Sequence, residues 1–327
     1  VLILCGGILL TVPQVTISTI AGDDVINIAE HGQAQIISGI ATGAAAGDKV
    51  TVTIGGQSYT TVLDAAGNWS VGVPASVISG LSDGSVTVTA SVTDAAGNTG
   101  SGTHNVTVDT GLPSVSFNAI SDDNVLNAVE KGQDLNVSGT SANLAEGTVV
   151  TVTLNGKNYT ATTAADGTWS LTVPAADLAG LGQANYTLNA TATNGVGNSV
   201  SNTANLLVDT ALPTVTINTV AGDNVINAAE VAAGQTISGS VANAEAGNTV
   251  TVTIGGNSYT ATVQSDLSWS VSVPSDVLTA LGNGSLSVSA TVTNGHGNTG
   301  TGERDITIDA NLPGLRVNTV AGDDVIN

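Results

Sequence analysis

A ten-residue phrase, AGDNVINAAE at Ala221–Glu230, returns at a fixed interval and sets what this chain can fold into. Copies begin at Ala21 (AGDDVINIAE), Ser121 (SDDNVLNAVE) and Ala321 (AGDDVIN). The step is 100 residues, and Pro13, Pro113, Pro213 and Pro313 keep it, as do Tyr59, Tyr159 and Tyr259, and Trp69, Trp169 and Trp269. Such a chain is a tandem array, because about 100 residues suffice for a small single-core domain and are too many for one coil of a solenoid. The expected units are 13–110, 111–210 and 211–310, with an edge segment at 1–12 and the start of a truncated fourth unit at 311–327.

Within a unit the hydrophobic period is two. In the first, Val15–Ile20 reads as strand A and Gln35–Ile40 as strand B. Val50, Val52 and Ile54 alternate with Thr51 and Thr53 in strand C, the pattern of a half-buried strand. Gly55 and Gly56 turn the chain into strand D at Ser58–Leu63, and DAAGN at Asp64–Asn68 turns it again, with Gly67 free to take positive φ. Trp69, Val71 and Val73 mark strand E, and Pro74 ends it. Ala75–Gly84 is a crossing loop with Ile78 and Leu81 as plugs, and Val86–Thr93 is strand F. Asp94–Gly102 is a Gly-rich loop, and Val106–Val108 is strand G. Seven short strands around one buried Trp predict an all-β chain of tandem immunoglobulin-like β-sandwiches arranged as an elongated rod, with an up-and-down barrel as the alternative.

Composition narrows the partners. The chain carries 26 acidic and 5 basic residues, a net charge of −21, although only 9% of its residues are charged. Phosphate backbones and anionic membrane surfaces repel such a molecule, so neither nucleic acid nor direct membrane insertion is expected. Divalent cations are its natural counter-charge. Cys5 is the single cysteine, so no disulfide staples a unit, and small extracellular domains without disulfides commonly find rigidity in metals. Val1–Leu10 does not match the repeat. Leu9 stands where other units carry Asp109, Asp209 and Asp309, and the stretch reads as a fusion scar, a shifted boundary, a fragment edge or the degenerate last strand of another unit.

The motifs V-D-T-x-L-P, V-T-I-N-T-V-A-G-D-N-V-I-N-A-A-E and G-x-W-S-V-x-V-P, kept together at this step over residues 13–327, resemble the bacterial Ig-like repeats of giant surface adhesins. The likeness is strongest to biofilm-associated adhesins exported by type I secretion. It implies an extracellular stalk, located at the bacterial cell surface, with calcium bound between domains and neighbouring repeats as the principal partners. Adhesins of other cells, or a surface ligand held by a tip outside this stretch, are the further partners it implies. No secretion signal, anchoring end or distinct tip is recognisable, as in an interior slice of such a protein.

Strand order decides which acids meet. In a seven-stranded sandwich the A–B turn and the end of strand G share the far pole, so Asp109 is expected to join Asp23, Asp24, Asn27 and Glu30. Pairing Asp109 with Asp123 instead would cross a strand of about six residues, roughly 20 Å. The near pole of the next unit offers Glu146, Asp166, Asn194 and Asn198. The second junction repeats the set with Asp123, Asn124, Asn127, Glu130 and Asp209 facing Glu245, Asp266, Asn294 and Asn298. The third has Asp223, Asn224, Asn227, Glu230 and Asp309. Calcium, which takes six to eight oxygens in flexible geometry, suits carboxylates and amides gathered from several loops. Clustered acids also repel unless a cation offsets them. The alternative is that Asp and Asn only shape turns and keep the chain soluble.

Other constellations carry less. His31, His104 and His296 fall at different unit positions, which excludes a recurring transition-metal site, and the phrase lacks the EF-hand pattern. The Trp and Tyr residues are expected in the core rather than as a sugar-stacking pair. Lys49, Lys131 and Lys157 do not recur, so no isopeptide staple is expected, and no Ser/His/Asp grouping recurs in register. A structural stalk segment, not an enzyme, is the expectation. Its rival is an Ig-like module that itself binds a host or bacterial glycan or protein.

Overall fold

The computed structural model describes residues 4–5, 8–9 and 12–316. The fourth copy of the phrase, from Ala321, lies outside the described residues. By packing, the chain divides into two compact units, one of Val1–Ala119, Asn136–Thr172 and Thr187–Ala204, the other of Ile120–Leu135, Val173–Tyr186 and Asn205–Asn327. The first repeat thus lies wholly in one unit and the third wholly in the other. The second contributes to both.

β1 (Leu4–Cys5) and β2 (Ile8–Leu9) pair antiparallel. The first repeat then runs β3 (Gln14–Ile17), β4 (Val25–Asn27), α1 (Ile28–His31), β5 (Gln35–Thr42), β6 (Lys49–Ile54), β7 (Gln57–Val62), β8 (Asn68–Val73), α2 (Ala75–Ile78), β9 (Gly84–Thr93) and β10 (Thr99–Asp109). Two sheets form, a three-stranded β3-β5-β8 and a five-stranded β4-β10-β9-β6-β7. Alternation puts Val50, Val52 and Ile54 of β6, Val88, Ala90 and Val92 of β9, and Val106 and Val108 of β10 between the sheets, against Ile37, Trp69 and Val73. Each fully buried Val or Ile contributes about 1.5–3 kcal/mol, and the Thr and Ser between them stay wet. The expected core place of Trp69, Trp169 and Trp269 is observed, since all three are buried, and Ile78 plugs the crossing segment.

The third repeat has the same plan: β19 (Thr214–Ile217), β20 (Val225–Asn227), α4 (Ala228–Ala233), β21 (Gln235–Ala242), β22 (Thr249–Ile254), β23 (Asn257–Thr262), β24 (Ser268–Val273), α5 (Ser275–Leu281), β25 (Gly284–Thr293) and β26 (Thr299–Asp309). Its sheets are β19-β21-β24 and β20-β26-β25-β22-β23. The second repeat carries β11 (Ser114–Phe117), β12 (Val125–Leu126), β13 (Leu135–Ala142), β14 (Val149–Leu154), β15 (Lys157–Thr162), β16 (Thr168–Val173), α3 (Ala175–Leu178), β17 (Ala184–Thr193) and β18 (Ser199–Val208). The all-β, immunoglobulin-like sandwich expected from the sequence is what these elements form.

The count of seven strands is corrected to eight. The segment expected as an A–B turn contains β4, which leaves the three-stranded sheet and pairs parallel with β10, Val25 opposite Thr107 and Asn27 opposite Asp109. Three residues are too few to display a period of two. The last strand is also longer than the expected Val106–Val108, because β10 begins at Thr99. Gly100 and Gly102 read as loop residues, but they lie inside the strand because β3 passes against them. A Cβ on Gly100 would stand 1.8 Å from the Pro13 carbonyl oxygen, and one on Gly102 2.2 Å from that of Val15. Only glycine permits that approach. The expected crossing loop contains α2.

Candidate functional site at the repeat junctions

The acidic phrase is first of all a device for satisfying its own backbone. Ala21 and Asp24 take left-handed φ, 56° and 64°, and Asp24 Oδ1 accepts from the Ile20 amide at 2.8 Å. Asp23 Oδ1 accepts from Val25 N at 3.0 Å. Asn27 caps α1, its Oδ1 accepting from Ala29 N and Glu30 N, while Glu30 Oε2 accepts from Asn27 N at 3.1 Å. This is a capping box, in which two orphan amide donors are satisfied reciprocally. The second repeat repeats it with Asn124 on Ile120 N, Asp123 on Val125 N, and Asn127 with Glu130. The third does so with Asn224, Asp223, Asn227 and Glu230. Asp109 stands beside Asn27 in the parallel ladder, and Asp309 beside Asn227.

Across the first junction the next repeat sends in Asn198. Its side chain is wholly buried. Oδ1 accepts from Ile28 N at 2.8 Å, and Nδ2 donates to the carbonyls of Asp109 at 2.9 Å and Gly111 at 3.1 Å. One amide thus ties the start of α1, the end of β10 and the linker to the β17–β18 turn. Asn194 orients it, with Oδ1 accepting from Asn198 N at 2.9 Å. Gly197 has φ of 88°, and a Cβ there would stand 3.0 Å from Asn27 Nδ2, so the turn packs directly on the helix cap. The second junction repeats the arrangement. Asn298 Oδ1 accepts from Ala128 N at 2.8 Å and its Nδ2 donates to Asp209 O at 2.8 Å, while a Cβ on Gly297 would stand 2.9 Å from Asn127 Nδ2. Sequence reasoning placed Asn198 and Asn298 only at the pole facing the acidic phrase and missed this role. The signal was the N-G-x-G-N turn, whose last residue stays Asn in both copies.

The two junctions differ at the acid. Asp109 Oδ1 accepts from Gly111 N at 3.0 Å. Asp209 Oδ1 accepts from Ala211 N at 3.0 Å, and its Oδ2 meets His296 Nδ1 at 2.5 Å, where the first junction has Val196. The Ala211 amide, and then His296, hold the Asp209 carboxyl below the usual carboxylate range. Asp24 is lowered by the Ile20 amide and then by His104, whose Nε2 lies 2.6 Å away. Four other acids serve their own repeats or stay exposed. Asp166 and Asp266 accept from Thr168 N and Ser268 N, Glu245 accepts from Gly295 N, and Glu146 is exposed. Among the described residues no three carboxylate, imidazole or thiol groups gather closely enough to hold a metal ion by themselves. For calcium the fit is partial. Asp109 Oδ2 and Glu30 Oε1 have no hydrogen bond among the described residues, and any remaining ligands would be amide or carbonyl oxygens and water.

No helix among the described residues is long and apolar enough to cross a membrane. The bacterial Ig-like domain family matches residues 11–110. A structure reported as insight into host cell surface retention of a 1.5-MDa bacterial ice-binding adhesin is 33% identical over 92% of this chain and 98% of its own, with a TM-score of 0.49. A Ca2+-stabilized adhesin by which an Antarctic bacterium binds ice is 37% identical over 96% of this chain and 79% of its own, TM-score 0.49. A bacterial immunoglobulin-like domain from the M. primoryensis ice-binding adhesin is 43% identical over 30% of this chain and 99% of its own, TM-score 0.26. A comparison with curated proteins found no match.

Proposed function

This chain belongs to the bacterial Ig-like repeats of large adhesins, and from that premise we propose that it is an extender segment of a cell-surface adhesin, a spacer rather than an enzyme. The observation that carries the reading is the asparagine clamp. A linker of about four residues would leave neighbouring sandwiches largely independent, whereas Asn198 and Asn298 bury a polar side chain at each junction and tie it to the preceding repeat. A string of domains held in this way keeps its reach without a ligand-binding loop of its own. Biofilm support, through a stalk exported by type I secretion, is the finer form of this proposal.

Calcium at the junctions is part of it. The charge of −21 favours a divalent counter-ion. The candidate ligands are Asp109 with Asn27 and Glu30, Asp209 with Asn127 and Glu130, and Asp309 with Asn227 and Glu230. Asp23, Asp24, Asp123, Asn124, Asp223 and Asn224 would add charge or polarity nearby. When bound, the ion would neutralise the acids and stiffen the joints. The test is small-angle X-ray scattering of the 327-residue chain with calcium, with chelator and with magnesium. Rigid, extended scattering that loosens in Asn198→Ala supports the extender reading, and jointed scattering in the unaltered chain overturns it. A profile that ignores millimolar calcium removes the calcium part alone.

A further inference from the structure

We propose that the first residue of the turn before the last strand of a repeat sets whether that repeat docks onto its predecessor, asparagine freeing the clamp amide and aspartate capturing it. This deepens the extender reading and rests on it. The turn is DAAGN at Asp94–Asn98, NGVGN at Asn194–Asn198 and NGHGN at Asn294–Asn298. Its backbone is the same in all three. The amide of the first residue donates to the carbonyl of the last at 2.9–3.0 Å, and that of the fourth, a glycine with φ of 87°, 88° or 79°, donates back to the first at 3.0–3.1 Å. One side-chain oxygen also has the same role, since Oδ1 of Asp94, Asn194 and Asn294 accepts from the amide of the last residue at 2.8–2.9 Å. The first residues therefore differ at one atom.

That atom decides where the clamp points. Asp94 has a second carboxylate oxygen, and its Oδ2 accepts from Asn98 Nδ2 at 2.9 Å, closing the turn on itself. DAAGN at Asp64–Asn68 does the same in another loop, where Asn68 Nδ2 donates to Asp64 Oδ2 at 3.0 Å. Asn194 and Asn294 carry an NH2 group there, which donates and cannot accept. It turns to a backbone carbonyl, Gly111 O at 3.4 Å and Asn243 O at 3.2 Å. The NH2 groups of Asn198 and Asn298 thus find no acceptor in that side chain, and they donate to Asp109 O and Asp209 O of the preceding repeat. Burial divides in the same way. Asn98 is half-buried, whereas Asn198 and Asn298 are 0% and 1% exposed. Aspartate at position 194 would offer Asn198 Nδ2 a charge-assisted bond, about twice as strong as one to a neutral carbonyl, and would set its own Oδ2 against Gly111 O, acceptor facing acceptor. Because Oδ1 and Nδ2 of Asn198 share one rigid amide, capture also takes Oδ1 away from Ile28 N.

The experiment is residue-resolved amide exchange on the full chain, unaltered and carrying Asn194→Asp. Ile28 N, which donates to Asn198 Oδ1, reports the clamp, and Asn198 N, which donates to Oδ1 of residue 194 in either form, reports the turn. Protection at Ile28 should fall about tenfold or more, while that at Asn198 and at Ala128 in the second junction is kept. Asn294→Asp should do the reverse, lowering Ala128 and sparing Ile28. Asn194→Ala, which lacks the turn's acceptor as well, should lower Asn198 too. The opposite change, Asp94→Asn, should free the Asn98 side-chain amide, whose hydrogens then exchange faster. Full protection of Ile28 in Asn194→Asp overturns the proposal and leaves the extender reading intact. An equal fall at Ile28 and Asn198 means that aspartate merely disrupts the turn, and it overturns the proposal as well. An Ile28 amide unprotected in the unaltered chain overturns the clamp itself, and the extender reading with it.

Discussion

Asn198 and Asp109 belong to different repeats, and the Asn198 amide donates to the Asp109 carbonyl at 2.9 Å from a fully buried position. The same side chain is the acceptor for Ile28 N. Removing it strands the Ile28 donor and the Asp109 carbonyl, while Gly111 O keeps the Asn194 amide, at about 1–3 kcal/mol for each group left unsatisfied. Asn198→Ala is therefore expected to lower the stability of the first junction by about 3 kcal/mol. Amide exchange reads it directly, since protection at Ile28 should fall while that at Ala128, in the second junction, holds. Unchanged exchange at Ile28 would mean the clamp carries no energy.

Gly39 lies opposite Trp69 in the β5–β8 ladder. A Cβ there would stand 2.0 Å from the Thr16 carbonyl oxygen and 2.5 Å from Trp69 Cζ2. Backbone cannot yield as a flexible side chain can, so Gly39→Ala should destabilise the first repeat by about 3 kcal/mol, at the upper end of overpacking. Urea denaturation followed by the fluorescence of a chain keeping only Trp69 would report it. A shift below about 0.5 kcal/mol, the range of surface substitutions, would contradict the close approach.

Acid should unfold the first repeat before the others. Asp64 is held below its ordinary value chiefly by the Asn68 side chain, and Asp94 by that of Asn98, while Asp83 is lowered by Thr110 and Asp24 by Ile20 N. The third repeat has only Asp266 in this state. A carboxyl depressed in the folded state contributes stability above its unfolded pKa, about 3.9, and loses it as pH falls through the folded value. The loss is thus confined to pH below about 4. Asp64→Asn/Asp94→Asn should flatten the acid limb of the melting curve, and an unchanged limb would refute this assignment.

If calcium acts at the junctions, the two will respond unequally. Both Asp209 oxygens are engaged, one by Ala211 N and one by His296, whereas Asp109 Oδ2 is open. His296→Val, which copies the first junction, should enlarge the calcium-induced rise in melting temperature, and Asp109→Asn should diminish it. Identical calcium responses in all three proteins would remove Asp109 and Asp209 from the site.

Sequence alone determined the repeat, the two-residue alternation and the central tryptophans, because burial of one strand face is a local pattern that needs no knowledge of partners. It also placed Asp109 beside the acidic phrase through strand order. What only the tertiary structure decided was where short or glycine-bearing pieces go. β4 is three residues long, and Gly100 and Gly102 look like loop until β3 is seen lying against them. The chemistry of the junction was equally hidden. Asp24, Asn27 and Glu30 carry the oxygens a cation would use, yet their hydrogen bonds go first to backbone amides of their own turn. Asn198 finds its partners in another repeat, 170 residues away in the case of Ile28. Residue type states what a side chain can bond, and only the folded chain states which unsatisfied amide or carbonyl lies within reach.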